Sequence, residues 1–328
     1  MAKVDFTEDG QQKTFEDFAC SPDLTAGQHG QLTFTSVYNS FLSVTAFLGN
    51  ALILIALHKE SSLHPPSKLL LRSLAATDLC VGLISEPLAV VYAISVVNEQ
   101  WNICPHLTVA SFITSYILCG VSVETMTAIS VDRLLALLLG LRYRQVVTLK
   151  RTYAIVFTLW VSPALFSAMY FWNPLITMWY SIIGIFLCLI ISIFSYTKIF
   201  FTLRHHQNQV QGHVQQPNQS NQLNIARYKK AVSTAIWLQL TLVARYLPFS
   251  IAEALKANSG LSSSVYHRWI YTGSLVFLNS SLNPILYCWK LEEVRRAVKD
   301  TIRQVFCHIL WVRSRRPMPW KWWMKFKT

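Results

Sequence analysis

Charge is what this chain of 328 residues has least of: Asp, Glu, Lys and Arg make up 14% of it, against 52% hydrophobic residues. Soluble domains carry roughly a quarter charged residues, so the composition excludes an ordinary soluble domain and points to a membrane protein. Acids are the scarcer sign, 16 against 29 basic residues. Cysteines number seven, and only Cys20 and Cys104 fall in segments expected on the oxidising side, so no dense disulfide framework holds the fold. The first 33 residues are polar and acidic and lack the apolar core of a signal peptide, so the first span is expected to act as its own insertion signal. No nucleophile–base set and no metal-ligand spacing converges along the chain, which disfavours an enzyme. The pair His205-His206 lies in a Gln-, Asn- and His-rich stretch and reads as solvated loop. Nor is there an internal repeat of the kind that marks inverted-repeat transporters.

What the chain does have is seven apolar stretches, at about 34–58, 68–97, 105–139, 151–172, 175–203, 229–257 and 265–289. Each is long enough to cross the ~30 Å apolar core of a bilayer. Short connections make them one bundle. The expected fold class is an all-α membrane protein, with a seven-helix bundle over 34–289 and an extracellular tail over 1–33. An amphipathic eighth helix over 290–307 and a basic, aromatic cytoplasmic tail over 308–328 follow. The basic excess is no nucleic-acid patch. Lys and Arg gather in the segments that alternate spans put on one side, and the other side holds Lys3, Lys13, Lys256 and Arg268 alone. By the positive-inside rule the amino terminus is extracellular and the carboxyl terminus cytoplasmic, and the basic side meets anionic membrane lipid.

The third span organises the rest. Ser115, Ser122, Met126 and Arg133 return to nearly one angle on a 3.6-residue helix, a single stripe about 27 Å long. Polar residues at membrane depth face protein or water rather than lipid, so this helix is expected at the centre. Asn50, Asp78 and Glu86, Glu124 on the face opposite Ser115, Arg245 and Glu253 must likewise find partners inside the bundle.

Six landmarks then carry a resemblance: Asn50, Asp78 in Leu74-Ala75-Ala76-Thr77-Asp78, Asp132-Arg133, Trp160, Tyr196 and Asn283-Pro284-Ile285-Leu286-Tyr287. In order and spacing the chain resembles the rhodopsin-like (class A) G protein-coupled receptors over residues 34–307. Its pattern is nearest to the melanocortin, adenosine and cannabinoid receptors, through a minimal second outer loop, no proline in the fifth span and the stretch joining spans seven and eight. It departs from the family at four places. Leu134 replaces the usual tyrosine after Asp-Arg. Cys188 stands at the fifth-span proline. Arg245-Tyr246-Leu247-Pro248 replaces Cys-Trp-x-Pro. Thr108 stands where the family has a cysteine, and the second outer loop has none, so the usual bridge cannot form; Cys20 and Cys104 are either a substitute pair or two free thiols.

The resemblance implies a plasma-membrane receptor that passes an extracellular signal, from a small molecule or a peptide, to a heterotrimeric G protein. It implies that Asp132 holds Arg133 at rest and that Arg133 later meets Tyr196, with Tyr246, Pro284 and Tyr287 taking part in activation. Asp78, Ser122, Asn279, Ser280 and Asn283 match the family's sodium pocket, so the cofactor expectation is none beyond an allosteric sodium ion, with Arg245 a rival tethered cation. Cys307 is the expected acylation site. From residue 300 onward only Thr301, Ser314 and Thr328 can accept phosphate, so weak arrestin recruitment is expected. Ligand-pocket residues are expected to be Glu86, Ser115, Phe249, Glu253, Trp269 and Phe277. Family amine receptors carry an Asp at Ser115 and opsins a Lys at Phe277, so a monoamine and retinal are both disfavoured. The alternative reading is an ion channel or transporter using Asp78, Glu86, Glu124 and Glu253. Those acids form no single file, and an odd number of spans fits it poorly.

Overall fold

A computed structural model describes residues 16, 19–25, 27–60, 63–212, 240–258, 262–290 and 294–304. They form α1 (His29–Lys59), α2 (Pro65–Val97), α3 (Cys104–Leu139), α4 (Leu149–Ala168) and α5 (Pro174–Gly212). Then come α6 (residues 240–258), α7 (Ser263–Lys290) and α8 (residues 294–304). Expected segments 1–15, 229–239 and 305–328, the last with Cys307, lie outside the described residues. Helices α1 to α5 each contain a window apolar enough to cross a membrane. Helices α6 and α7 are more polar, since Arg245, Glu253 and Lys256 sit in one and Asn279, Ser280 and Asn283 in the other. Outward-facing Phe34, Phe41, Phe157, Ile190 and Phe194 are exposed, a surface that suits lipid and not water. Helix α3 is central, packing against α2, α4 and α5.

Prolines and glycines set the close approaches. Pro284 cannot donate to the Ser280 carbonyl one turn back. That carbonyl accepts Asn50 Nδ2 at 2.9 Å instead, so the Asn of α1 repairs the gap in α7. The two helices touch where a Cβ on Gly49 would lie 2.9 Å from Pro284 Cγ. On α2 the turn Val81–Ser85 widens to a π-helix before Glu86-Pro87. Such bulges absorb a residue whose regular hydrogen bond is missing. Ser43 Oγ of α1 donates to the Gly82 carbonyl there at 2.6 Å, and a Cβ on Gly82 would meet α1 backbone at 2.9 Å.

The end of the bundle expected to face outward is closed by the described part of the amino-terminal segment. Cys20 and Cys104 are bonded, with their Cα atoms 5.9 Å apart, which settles the substitute pair in favour of a bridge. Tyr170 of the α4–α5 link donates to the Glu16 carboxylate, Tyr92 Oη lies 3.5 Å from the Ala19 carbonyl, and Gln28 Nε2 donates to Ser263 Oγ at 2.6 Å. Glu16, residues 19–25 and Gln28 therefore lie over the helix ends, doing part of what the minimal α4–α5 link is too short to do.

Candidate functional site

A cavity of about 140 Å³ opens between α3, α5, α6 and α7, with branches toward α1–α2 and α4. Ser115, Phe249, Trp269 and Phe277 line it as expected, and Tyr246 is at its wall. Glu86 and Glu253 do not. Glu253 sits behind Trp269: it accepts the indole N–H and Lys256 Nζ, the latter at 2.9 Å. The Lys256 ammonium in turn covers the Trp269 and Phe112 rings, 4.4 and 5.1 Å from their centroids. Both charges are buried, so the pair braces the aromatic wall rather than facing the cavity. Glu86 is fully buried at the end of the π turn, and among the described residues neither of its oxygens has a hydrogen-bond partner.

One acid that sequence reasoning left out of the pocket does line it. Glu124 lies on the α4–α5 side of α3, as its offset from Ser115 requires. Ser162 Oγ of α4 donates to Glu124 Oε2 at 3.1 Å and Tyr180 Oη of α5 to Oε1 at 2.8 Å. The cavity reaches round α3 to this group past Gly184, which has nothing within 4 Å of an added Cβ, while Gly120 lets Pro163 of α4 approach α3, 3.1 Å from where a Cβ would stand.

Below the cavity Asp78 gathers the four other residues named for the sodium pocket. Its Oδ1 accepts Ser122 Oγ and Ser280 Oγ, each at 2.9 Å, and its Oδ2 accepts Asn283 Nδ2 at 2.7 Å. Asn279 Nδ2 donates to Ser122 Oγ at 3.2 Å, while Asn279 Oδ1 is buried without a partner among the described residues. Arg245 reaches neither Asp78 nor Glu86 within ion-pair distance. Its Nε donates to the Thr241 carbonyl at 2.6 Å, and its two terminal nitrogens are buried and unpartnered among the described residues. Tyr246, beside it, is 1% exposed and also has a hydroxyl without a partner.

At the inner end, Asp132 is held firmly and Arg133 loosely. Ser67 Oγ donates to Asp132 Oδ2 at 2.8 Å and Tyr143 Oη to Oδ1 at 2.6 Å. Arg133 Nε lies 3.9 Å from Oδ2, and its side chain is 37% exposed. Tyr196 is half-buried on α5 close to Arg133, and Tyr287 is buried in the core with Met126 and Leu242. Ser67 and Tyr143 were not foreseen. The only signal was a tyrosine in the loop that follows Asp-Arg.

Seven helices, an Asp-centred polar layer at mid-depth and an Asp–Arg pair at the inner end define a seven-helix receptor. The family described as 7 transmembrane receptor (rhodopsin family) matches residues 49–172 and 168–287, most of the chain, and the protein belongs to it. It is 26% identical over 284 residues to the adenosine receptor A3 of Canis lupus familiaris, an alignment covering 77% of this chain and 86% of that receptor. The protein is thus a multi-pass plasma-membrane receptor that signals from an extracellular ligand to a heterotrimeric G protein. The channel or transporter reading is not favoured.

Proposed function

We propose that ligand binding in the cavity releases Arg133 from Asp132 and opens the inner ends of α5 and α6 to the G protein. The observation that carries this is the contrast within the pair, since two short hydrogen bonds fix the acid while the guanidinium is long-bonded and part-exposed. A charge held that weakly can leave at little cost, because a half-exposed ion pair contributes only about 0–1 kcal/mol. Arg133 then meets Tyr196, with Tyr246, Pro284 and Tyr287 transmitting the rearrangement from the cavity. Ser115, Phe249, Trp269 and Phe277 contact the ligand; Glu253 positions Trp269, and Glu86 tunes the α2 side from behind. The protein performs no catalysis of its own.

The amino terminus lies outside in this reading, supported by the charge asymmetry and by the Cys20–Cys104 bridge, which belongs to an oxidising compartment. Sodium fits the Asp78 layer: the donor set is all oxygen with one carboxylate, and the orphaned Asn279 Oδ1 adds an acceptor. Asp78, Ser122, Asn279, Ser280 and Asn283 would hold it, and the ion would supply neutralising charge that ties α2, α3 and α7 together at rest. Acylation of Cys307, contact of the basic tail with anionic lipid and weak arrestin recruitment complete the proposal, resting on sequence alone.

Replacing Arg133 with Ala is the test. Nucleotide exchange on the G protein is expected to vanish at matched surface expression. Unchanged exchange would count against this assignment of the coupling residue.

A further inference from the structure

We propose that the cavity takes a lipophilic amine whose protonated nitrogen pairs with Glu124, a deepening that rests on the receptor reading above. Among the described lining residues Glu124 is the only acidic or basic side chain. The rest of the wall is uncharged, and Phe112, Phe249, Trp269 and Phe277 are its large apolar rings. An anionic ligand would find no cation there, since Lys256 is neutralised by Glu253 and covered by Trp269. A carboxylate at membrane depth, however, needs a compensating charge. Ser162 and Tyr180 give it two neutral hydrogen bonds, and no described cation lies within ion-pair distance. An ammonium inside the cavity supplies what the protein does not.

The setting suits that partner. The Tyr180 ring stacks on Phe166 at 4.0 Å between centroids, which fixes the hydroxyl on the carboxylate and aims the acid. Aromatic faces favour a neighbouring cation. Space for the amine comes from Gly184, whose added Cβ would meet nothing within 4 Å. Ser115 offers no carboxylate on the inward stripe, so the nitrogen is read from the α4–α5 side instead. Half-exposed Tyr180 and Ser181 on the α4–α5 side put that acid within reach of a molecule dissolved in the membrane.

The test uses the full-length receptor in lipid nanodiscs and three probes sharing one skeleton: 4-phenylbutylamine, 4-phenylbutanol and 4-phenylbutyrate. The amine is expected to raise the unfolding temperature at concentrations at least tenfold lower than the alcohol, and the acid to have no effect. In Glu124→Gln the amine is expected to lose at least tenfold in affinity and the alcohol less than twofold. The alcohol thus reports on folding of the variant. An alcohol as potent as the amine, an amine that fails to bind, or binding unchanged in Glu124→Gln would each overturn the inference. Nucleotide exchange on the G protein, measured without any probe, separates this outcome from failure of the receptor reading, which would show as no exchange under any condition.

Discussion

The two ends of the bundle each carry an acid–base pair, and they are built oppositely. At the outer end Glu253 and Lys256 are one turn apart on α6, 2.9 Å from each other and fully buried, with aromatic rings over the ammonium. At the inner end Asp132 and Arg133 are neighbours in sequence, 3.9 Å apart at their closest polar atoms, with the acid buried and the base half-exposed. Burial decides the difference. A desolvated pair cannot be opened without stranding a charge in low dielectric, whereas an exposed cation can exchange its partner for water. The outer pair is therefore suited to act as a brace and the inner pair as a catch in the mechanism proposed above.

The largest expected effect breaks the brace. Lys256→Met leaves Glu253 buried and uncompensated, which costs about 3–5 kcal/mol, and Glu253→Gln strands the ammonium at similar cost. Surface expression of either variant should collapse. The double variant Glu253→Gln with Lys256→Met removes both charges and keeps an acceptor for the Trp269 indole, so it should recover most of the expression. Two single losses that simply add in the double variant would show that the pair is not what holds the wall.

A smaller effect tests the catch. Tyr143→Phe removes a 2.6 Å hydrogen bond to the Asp132 carboxylate without disturbing a helix. Hydrogen bonds to charged groups contribute about 1.5–3 kcal/mol. If only part of that is specific to the resting state, basal nucleotide exchange should rise by roughly three- to tenfold. A basal rate at or below the native one would mean that Tyr143 fixes the loop and not the equilibrium.

How much of this was legible in the sequence follows from which contacts are periodic. The seven spans were readable because apolar length is a one-dimensional property. So was the Asp78 layer: Asn279 and Asn283 recur at one helical turn and Ser122 falls on the inward stripe of α3, so their convergence needs only packed helices. Contacts that depend on a helix's rotation or on a loop's path were not readable. Tyr143 reaches Asp132 through the turn at Gly140, whose positive φ of 50° sets the direction of the chain after α3. Lys256 was read as an outer-side cation, although the i, i+3 spacing from Glu253 carried the signal of a pair. Glu124 was placed on the correct face. That the cavity extends round α3 to meet it depends on Gly184, where the information is the lack of a side chain. The Cys20–Cys104 bridge was one of two readings, since sequence separation says nothing of whether a tail folds back.

The smallest expected effect on basal exchange concerns the layer midway between brace and catch, where an unattached cation and a tethered one compete for Asp78. Ser122, Ser280 and Asn283 hydrogen-bond the carboxylate directly and Asn279 joins them through Ser122. Arg245 is buried nearby with its two terminal nitrogens unpartnered, yet it makes no ion pair with the acid. It does not displace sodium by contact. It still repels it, because the guanidinium charge is felt at Asp78 and like charges buried in one polar layer are only partly screened. The native receptor should therefore bind sodium weakly, and basal exchange should fall only at the upper end of a titration in which NaCl replaces choline chloride. Arg245→Cys removes the repulsion, and the half-effective sodium concentration should drop by tenfold or more. Asp78→Asn should abolish the response in either background. A steep sodium response in the native protein that Arg245→Cys leaves in place would show the guanidinium to be electrostatically remote from the site. No response in either protein, with basal exchange otherwise normal, would remove sodium from the account and leave the hydrogen-bonded layer to neutralise Asp78 alone.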